Sequence, residues 1–170
     1  CRTTHKWLLC RLATFYGNCE DLGKLRVIEP VSSLLAHASR PLELVEEYDG
    51  GQGRTLHVVD DNDQHFVLRI LPLGESCTEA SVAASVAHPM IPAVHEIGRL
   101  PDERVFLLRD HVGGKVLKSL PHEPVALHNV LQQLLEVIAF VHLRGVLHLD
   151  LKPGNMVIDD CDQLHLLDFG

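Results

Sequence analysis

Two short stretches concentrate the side chains able to do chemistry: His148-Leu149-Asp150-Leu151-Lys152-Pro153-Gly154-Asn155 and, a little further on, Leu166-Leu167-Asp168-Phe169-Gly170. Oxygens of Asp and Asn suit a hard divalent cation such as Mg²⁺. A carboxylate can also take a proton from a hydroxyl, and lysine offers a compact, mobile positive charge. Taken singly, Asp150 and Asn155 read equally well as turn residues, and Asp168 as an acid at a strand end. Only their joint spacing argues for a site.

Other candidate clusters are weaker. The acidic turns Asp60-Asp61-Asn62-Asp63 and Asp159-Asp160-Cys161-Asp162 lack the glycine and distal glutamate of a calcium loop, so they read as solvated hairpin turns. The 12 histidines show no H-E-x-x-H or other metal spacing; His148 and His142 read as structural residues, in a loop core and at a helix end. The five cysteines (Cys1, Cys10, Cys19, Cys77, Cys161) are odd in number and form no C-x-x-C pair, which suits reduced thiols and a cytoplasmic setting. Composition is that of a folded domain, 46% hydrophobic and 22% charged. A net charge of -8 without a basic patch argues against nucleic-acid binding. No uninterrupted apolar run reaches membrane-spanning length, so no membrane span is expected.

Residues 1–40 carry no clear period and are left unassigned; a short helix around Val31–Ala38 is one reading. From Pro41 an antiparallel meander is expected: a strand entering Asp49-Gly50-Gly51-Gln52-Gly53, a second at Arg54–Val59, and a third at His65–Leu71. The pleat of the third places Phe66, Leu68 and Ile70 on one face and Val67, Arg69 and Leu71 on the other, and a charge at Arg69 demands a partner. Ser76-Cys77-Thr78-Glu79 fits a capping box opening a helix that closes at His88-Pro89. Strands follow at Ala93–Leu100 and Arg104–Arg109. Leu127, Val130, Leu131, Leu134, Leu135, Ile138 and Val141 then have helical spacing, giving a helix over Val125–Leu143 that Gly145 ends. Short strands are expected at Val146-Leu147, Met156–Ile158 and Leu164–Leu167.

The two motif stretches, in this order and separated by a hairpin, resemble the catalytic loop H-R-D-L-x-x-x-N and the D-F-G motif of the protein kinase family. The Lys152-Pro153 pair resembles the serine/threonine branch. The resemblance implies an α+β, protein-kinase-like fold: a five-stranded antiparallel N-lobe sheet with one helix, plus the truncated start of a helical C-lobe. It divides the chain into an unassigned segment 1–40 and a kinase domain 41–170 that stops after D-F-G. Cys1 at the start and a motif glycine at the end suggest a piece of a larger multidomain protein. Alone, such a piece is expected to be poorly stable and inactive.

By the same resemblance, Asp150 would position the substrate hydroxyl, and Lys152 would support the transferred phosphoryl group. Asn155 and Asp168 would hold Mg²⁺. Arg69 and Glu79 would orient the phosphates of ATP, while Gly50, Gly51, Gly53, Val67, Asp110, Val112 and Val157 would surround the nucleotide. Glu79 has a competing role as capping partner of Ser76. His88-Pro89-Met90-Ile91 resembles the H-P-N-I after the first helix, and Phe106–Val112 resembles the fifth strand and hinge, with Arg109 at the back of the adenine pocket.

Departures from the family pattern matter as much. Arg69 stands at the lysine position, and arginine is no isostere of lysine there. Tyr48 replaces the first glycine of G-x-G-x-x-G, Thr55 a valine over the adenine, Val67 the small alanine, and Leu149 the arginine before the catalytic aspartate. Two functions compete: a serine/threonine protein kinase using ATP and Mg²⁺ on a protein substrate, weakened by Arg69, and a pseudokinase acting as a regulatory scaffold. A small-molecule phosphotransferase is disfavoured by Lys152-Pro153.

Overall fold

The computed structural model describes residues 30–48, 53–74, 82 and 84–169. Glu79, Gly50, Gly51 and Gly170, all singled out above, lie outside the described residues, as does the Ser76–Glu79 capping box.

Five strands form one antiparallel sheet: β1 (Leu42–Tyr48), β2 (Arg54–Asp60), β3 (His65–Ile70), β4 (Val94–Arg99) and β5 (Val105–Asp110), in the order β1-β2-β3-β5-β4. Alternation decides its faces. Leu56, Val58, Phe66, Leu68, Ile70, Phe106 and Leu108 all point to one side and form a core. Thr55, Val67, Arg69, Leu107 and Arg109, which register opposite or diagonal to one another, point to the other. The face expected for β3 from its pleat is the observed one.

Helix α1 (Val31–Leu35) closes the first core, with Leu34 buried among the strand residues. Ser39 follows, donating its backbone N–H and its hydroxyl to the Glu96 carboxylate of β4 at 3.0 and 2.7 Å. Arg40 lies over the Phe66 ring, 4.9 Å from its centre. The compact unit accordingly starts at Val31.

A second core gathers around helix α2 (Pro124–His142). Pro124 occupies its first turn, where no N–H is needed, and the Glu123 carboxylate accepts from the Ala126 N–H at 2.7 Å. Val130, Val137 and Val141 form the buried stripe, facing Leu164, Leu166, Met156 and Phe169. α2 is long and apolar enough to cross a membrane by length and composition alone. Here its Gln133 reaches out to accept from the Leu164 N–H at 2.8 Å, which seats the helix on the neighbouring hairpin.

That hairpin is built from β7 (Met156–Ile158) and β8 (Leu164–Leu166), joined at the edge by β6 (Lys115–Val116). The strand expected at Val146-Leu147 is absent. The Val146 N–H turns back to the Val141 carbonyl at 3.1 Å, and Gly145 takes φ 73° to allow it. The donor that would have paired in a ladder thus caps the helix.

The β2–β3 and β7–β8 hairpins share one turn. Asp60 accepts from the N–H groups of Asn62 and Gln64, and Asp159 from those of Cys161 and Gln163. Asp63 and Asp162, three residues on in each, take φ near 60°. The acids are used up locally as turn formers. Among the described residues no group of three His, Cys, Asp or Glu side chains comes together to hold a metal ion.

Candidate active site

The loop after α2 carries the first motif on a short 3₁₀ turn (Pro153–Asn155) that leads into β7. Buried Asn155 donates from Nδ2 to both the backbone oxygen and Oδ2 of Asp150, each at 2.9 Å. Lys152 Nζ lies 2.6 Å from the same Oδ2. These two donors, the Lys152 bond foremost, hold the Asp150 carboxyl below the usual carboxylate range, so it is ionised at neutral pH.

The second motif is tied to the first through the backbone. The Leu167 N–H donates to the Asn155 carbonyl at 2.8 Å, and His148 Nε2 lies 2.8 Å from the Leu167 carbonyl. Burial disfavours the charged form of His148, and a neutral ring donating from Nε2 satisfies that contact. Phe169 is buried in the second core and tilts against the His148 ring, with centres 4.7 Å apart. Two residues in these motifs hold left-handed backbone without being glycine: Leu149 at φ 64° and Asp168 at φ 52°. Such positions cost about 1–3 kcal/mol and persist only where surroundings impose them.

With Phe169 anchored inward, Asp168 faces the sheet. Its Oδ1 lies 2.7 Å from Nη1 of Arg69. The partner demanded by a charge in an apolar strand is thus, at least in part, the aspartate of the second motif. Val67, Arg109, Val112, Val157 and Asp168 line a cavity of about 300 Å³, within the size range of small-molecule sites. Behind it, Arg69, Arg109, Asp168 and Phe169 line a chamber of about 20 Å³. Arg109 and Asp168 border both.

Arg109 is the unusual wall. Its Nη1 makes a long 3.4 Å contact with the Asp110 carbonyl, and its Nε is buried with no hydrogen-bond partner. Burial depresses its pKa, an effect that nearby Asp168 opposes and nearby Arg69 reinforces.

Asp110 and Gly53 stand apart from the cavity lining. The Asp110 carboxylate is turned to β4, 2.6 Å from His95 Nε2 and accepting from the Ala93 N–H at 3.1 Å. Gly53 has φ 91°, and a side chain there would run into the Ile70 carbonyl, so its glycine is required by hairpin geometry. The sequence reading overlooked an aromatic stack at the cavity mouth. His111 stacks on His57 at 3.9 Å, and Tyr48 Oη lies 3.2 Å from His111 Nε2. Strand alternation was the signal that could have found it, because His57 registers opposite Val67 on the cavity face.

The family model of the protein kinase domain matches residues 50–170. Serine/threonine-protein kinase PrkC of Bacillus subtilis is 30% identical over 114 residues, which are 64% of this chain and 16% of that protein. CBL-interacting serine/threonine-protein kinase 19 of Arabidopsis thaliana is 30% identical over 142 residues, 81% of this chain and 29% of that protein. CBL-interacting protein kinase 10 of Oryza sativa subsp. japonica is 35% identical over 112 residues, 64% of this chain and 25% of that protein. The chain spans less than a third of the length of each of these relatives. With a sheet, a cleft and two linked motifs in the arrangement described, the chain belongs to the protein kinase family, as a serine/threonine-kinase-like domain.

Proposed function

We propose that the cleft binds ATP with Mg²⁺ and that the domain transfers the terminal phosphoryl group to serine or threonine hydroxyls of a protein substrate, at a rate lowered by Arg69. The carrying observation is the Asp150–Lys152–Asn155 cluster, hydrogen-bonded through Leu167 to the segment that aims Asp168 at the cleft. An ionised Asp150 is suited to accept the proton of an incoming hydroxyl and hold it in line. Lys152 beside it offers positive charge to the moving phosphoryl group. Asn155 and Asp168 carry the oxygen donors that fit a hard cation and would hold the metal, which when bound neutralises charge across the phosphates. Asp110 and Val112 would present the hinge backbone to the base. Gly50 and Gly51 would let backbone N–H groups approach phosphate, and Glu79 would share Arg69. The proposal extends to a cytoplasmic signalling protein larger than this chain, in keeping with relatives several times longer.

Replacing the compact ammonium of lysine with a guanidinium weakens one preorganised contact to phosphate, which bounds the loss at about a hundred- to thousand-fold in rate. Peptide phosphorylation and autophosphorylation by the full-length parent, compared across wild type, Arg69→Lys and Asp168→Asn, test this. A gain with lysine and loss with asparagine are expected. The Arg69–Asp168 ion pair favours a second reading, a regulatory pseudokinase, because it occupies the carboxylate that would take metal. Nucleotide-dependent stabilisation without phosphate transfer in any variant, Arg69→Lys included, would favour that scaffold.

A further inference from the structure

We propose that Tyr48 and His111 form a strap across the mouth of the larger cavity, one that sets how fast a nucleotide enters and leaves and that loosens on acidification. The proposal rests on the nucleotide-site reading above. Both residues line the cavity of about 300 Å³, and Tyr48 Oη lies 3.2 Å from His111 Nε2, joining the end of β1 to the segment after β5. His111 is the anchored side. Its backbone N–H donates to the His65 carbonyl at 3.3 Å, and its ring lies parallel to His57 with centres 3.9 Å apart. His57 Nε2 is in turn 2.8 Å from His65 Nδ1. Tyr48 is the weaker side. It is the last paired residue of β1, an edge strand whose pairing with β2 is irregular between Leu44 and Glu46.

The strap requires a neutral His111. Bare at Nε2, the ring accepts from the Tyr48 hydroxyl; once protonated it has only N–H groups to offer, and that bond is lost. Its surroundings oppose the charge. Burial does so first, and His57 on β2, His65 on β3 and Arg109 on β5 add positive field. Glu46 on β1 favours charge on His57, and the Asp110 carboxylate is turned to His95. Tyr48 keeps its proton throughout, because burial raises its pKa. A protonated ring is therefore relieved by swinging out of the stack, which parts it from Tyr48. The cavity has its volume with the strap shut, so the strap can close over an occupant as well as without one. It then acts on both rates of exchange and little on affinity.

Stopped-flow mixing of the full-length parent with N-methylanthraniloyl-ATP and Mg²⁺ tests the proposal. Tyr48→Phe keeps the ring and removes the hydroxyl. It should raise the association and dissociation rates together by about 2- to 10-fold, the worth of one hydrogen bond, and leave the dissociation constant within about threefold. From about pH 7 to about pH 5.5 both wild-type rates should rise roughly 3- to 8-fold, as the released ring takes up its proton. That rise should be absent from His111→Asn, checked by its melting curve to be folded. Titration of the nucleotide phosphates is common to all variants and cancels in the comparison. Rates unchanged in Tyr48→Phe overturn the strap, and so does faster dissociation alone, which would make Tyr48 a direct ligand contact. An acid response kept in full by His111→Asn overturns the release through His111. Each of these leaves the nucleotide site standing, whereas no nucleotide binding in any variant overturns both.

Discussion

Acidification should destabilise the sheet through His111. His111 is held between His57 and Tyr48 at the cavity mouth, and burial foremost, then the positive fields of His57, His65 and Arg109, push its pKa from 6.5 to about 4. In the folded protein the ring therefore stays neutral where the unfolded chain would protonate it. Between pH 6.5 and about 4 the unfolded state binds the extra proton, so stability falls as pH falls through that window. From pH 7 to pH 5 the linkage amounts to about 1.8 kcal/mol for a fully enclosed ring. His111 is only partly enclosed, and solvent screening reduces this to about 1 kcal/mol. Burial lowers His57 in the same direction and adds to the loss. Urea melts of wild type and His111→Asn at pH 7 and pH 5 measure it. Carboxylates such as Asp60 and Asp159, whose pKa values are lowered, titrate below this window and do not confuse the comparison. His111→Asn should lose about 1 kcal/mol less than wild type on going to pH 5. Equal losses in the two proteins would refute the assignment of a neutral, partly enclosed imidazole.

Three further outcomes are expected. Leu34→Ala should cost about 2–5 kcal/mol in a chemical melt, because Leu34 is buried among β2, β3 and β5 residues; a neutral result would separate α1 from the domain. Gly98→Ala should destabilise by about 1–3 kcal/mol, since an added Cβ on β4 overlaps the Phe106 ring in a filled core, and a simultaneous Phe106→Leu should recover part of that. Asn155→Ala should lower phosphoryl transfer by more than it lowers stability, the latter by about 1–3 kcal/mol, because it strips both amide bonds from Asp150; rates falling no further than the folded fraction would show a merely structural amide.

Much of this molecule is legible from residue order. The period-two alternation of β3 names both its core face and its cavity face, and the helical spacing of Leu127, Val130, Leu131, Leu134, Leu135, Ile138 and Val141 gives α2 nearly to its ends, although Leu131 and Leu135 are exposed and Val137, outside that set, is buried. What escaped has a common physical cause. β6 is two residues whose strand character comes wholly from pairing with β7. Val146-Leu147 looks like a strand by residue type, but its leading N–H closes the helix before it. α1 was one of the readings open for Val31–Ala38; it is short, and the place the sheet offers Leu34 to bury decides for it. The pairing of Arg69 with Asp168 joins residues 99 positions apart, and no local spacing encodes it. Nor does residue order show that the Asp110 carboxylate, at the end of β5, serves His95 on the neighbouring strand.

His148, Leu167, Asn155 and Asp150 form an unbroken relay of hydrogen bonds that begins at the ring tilted against Phe169. Any molecule wedged into the small chamber beside Phe169 and forcing that ring outward strips His148 of its neighbour and tugs the carbonyl of Leu167. The pull arrives at Asp150 without the intruder ever touching it.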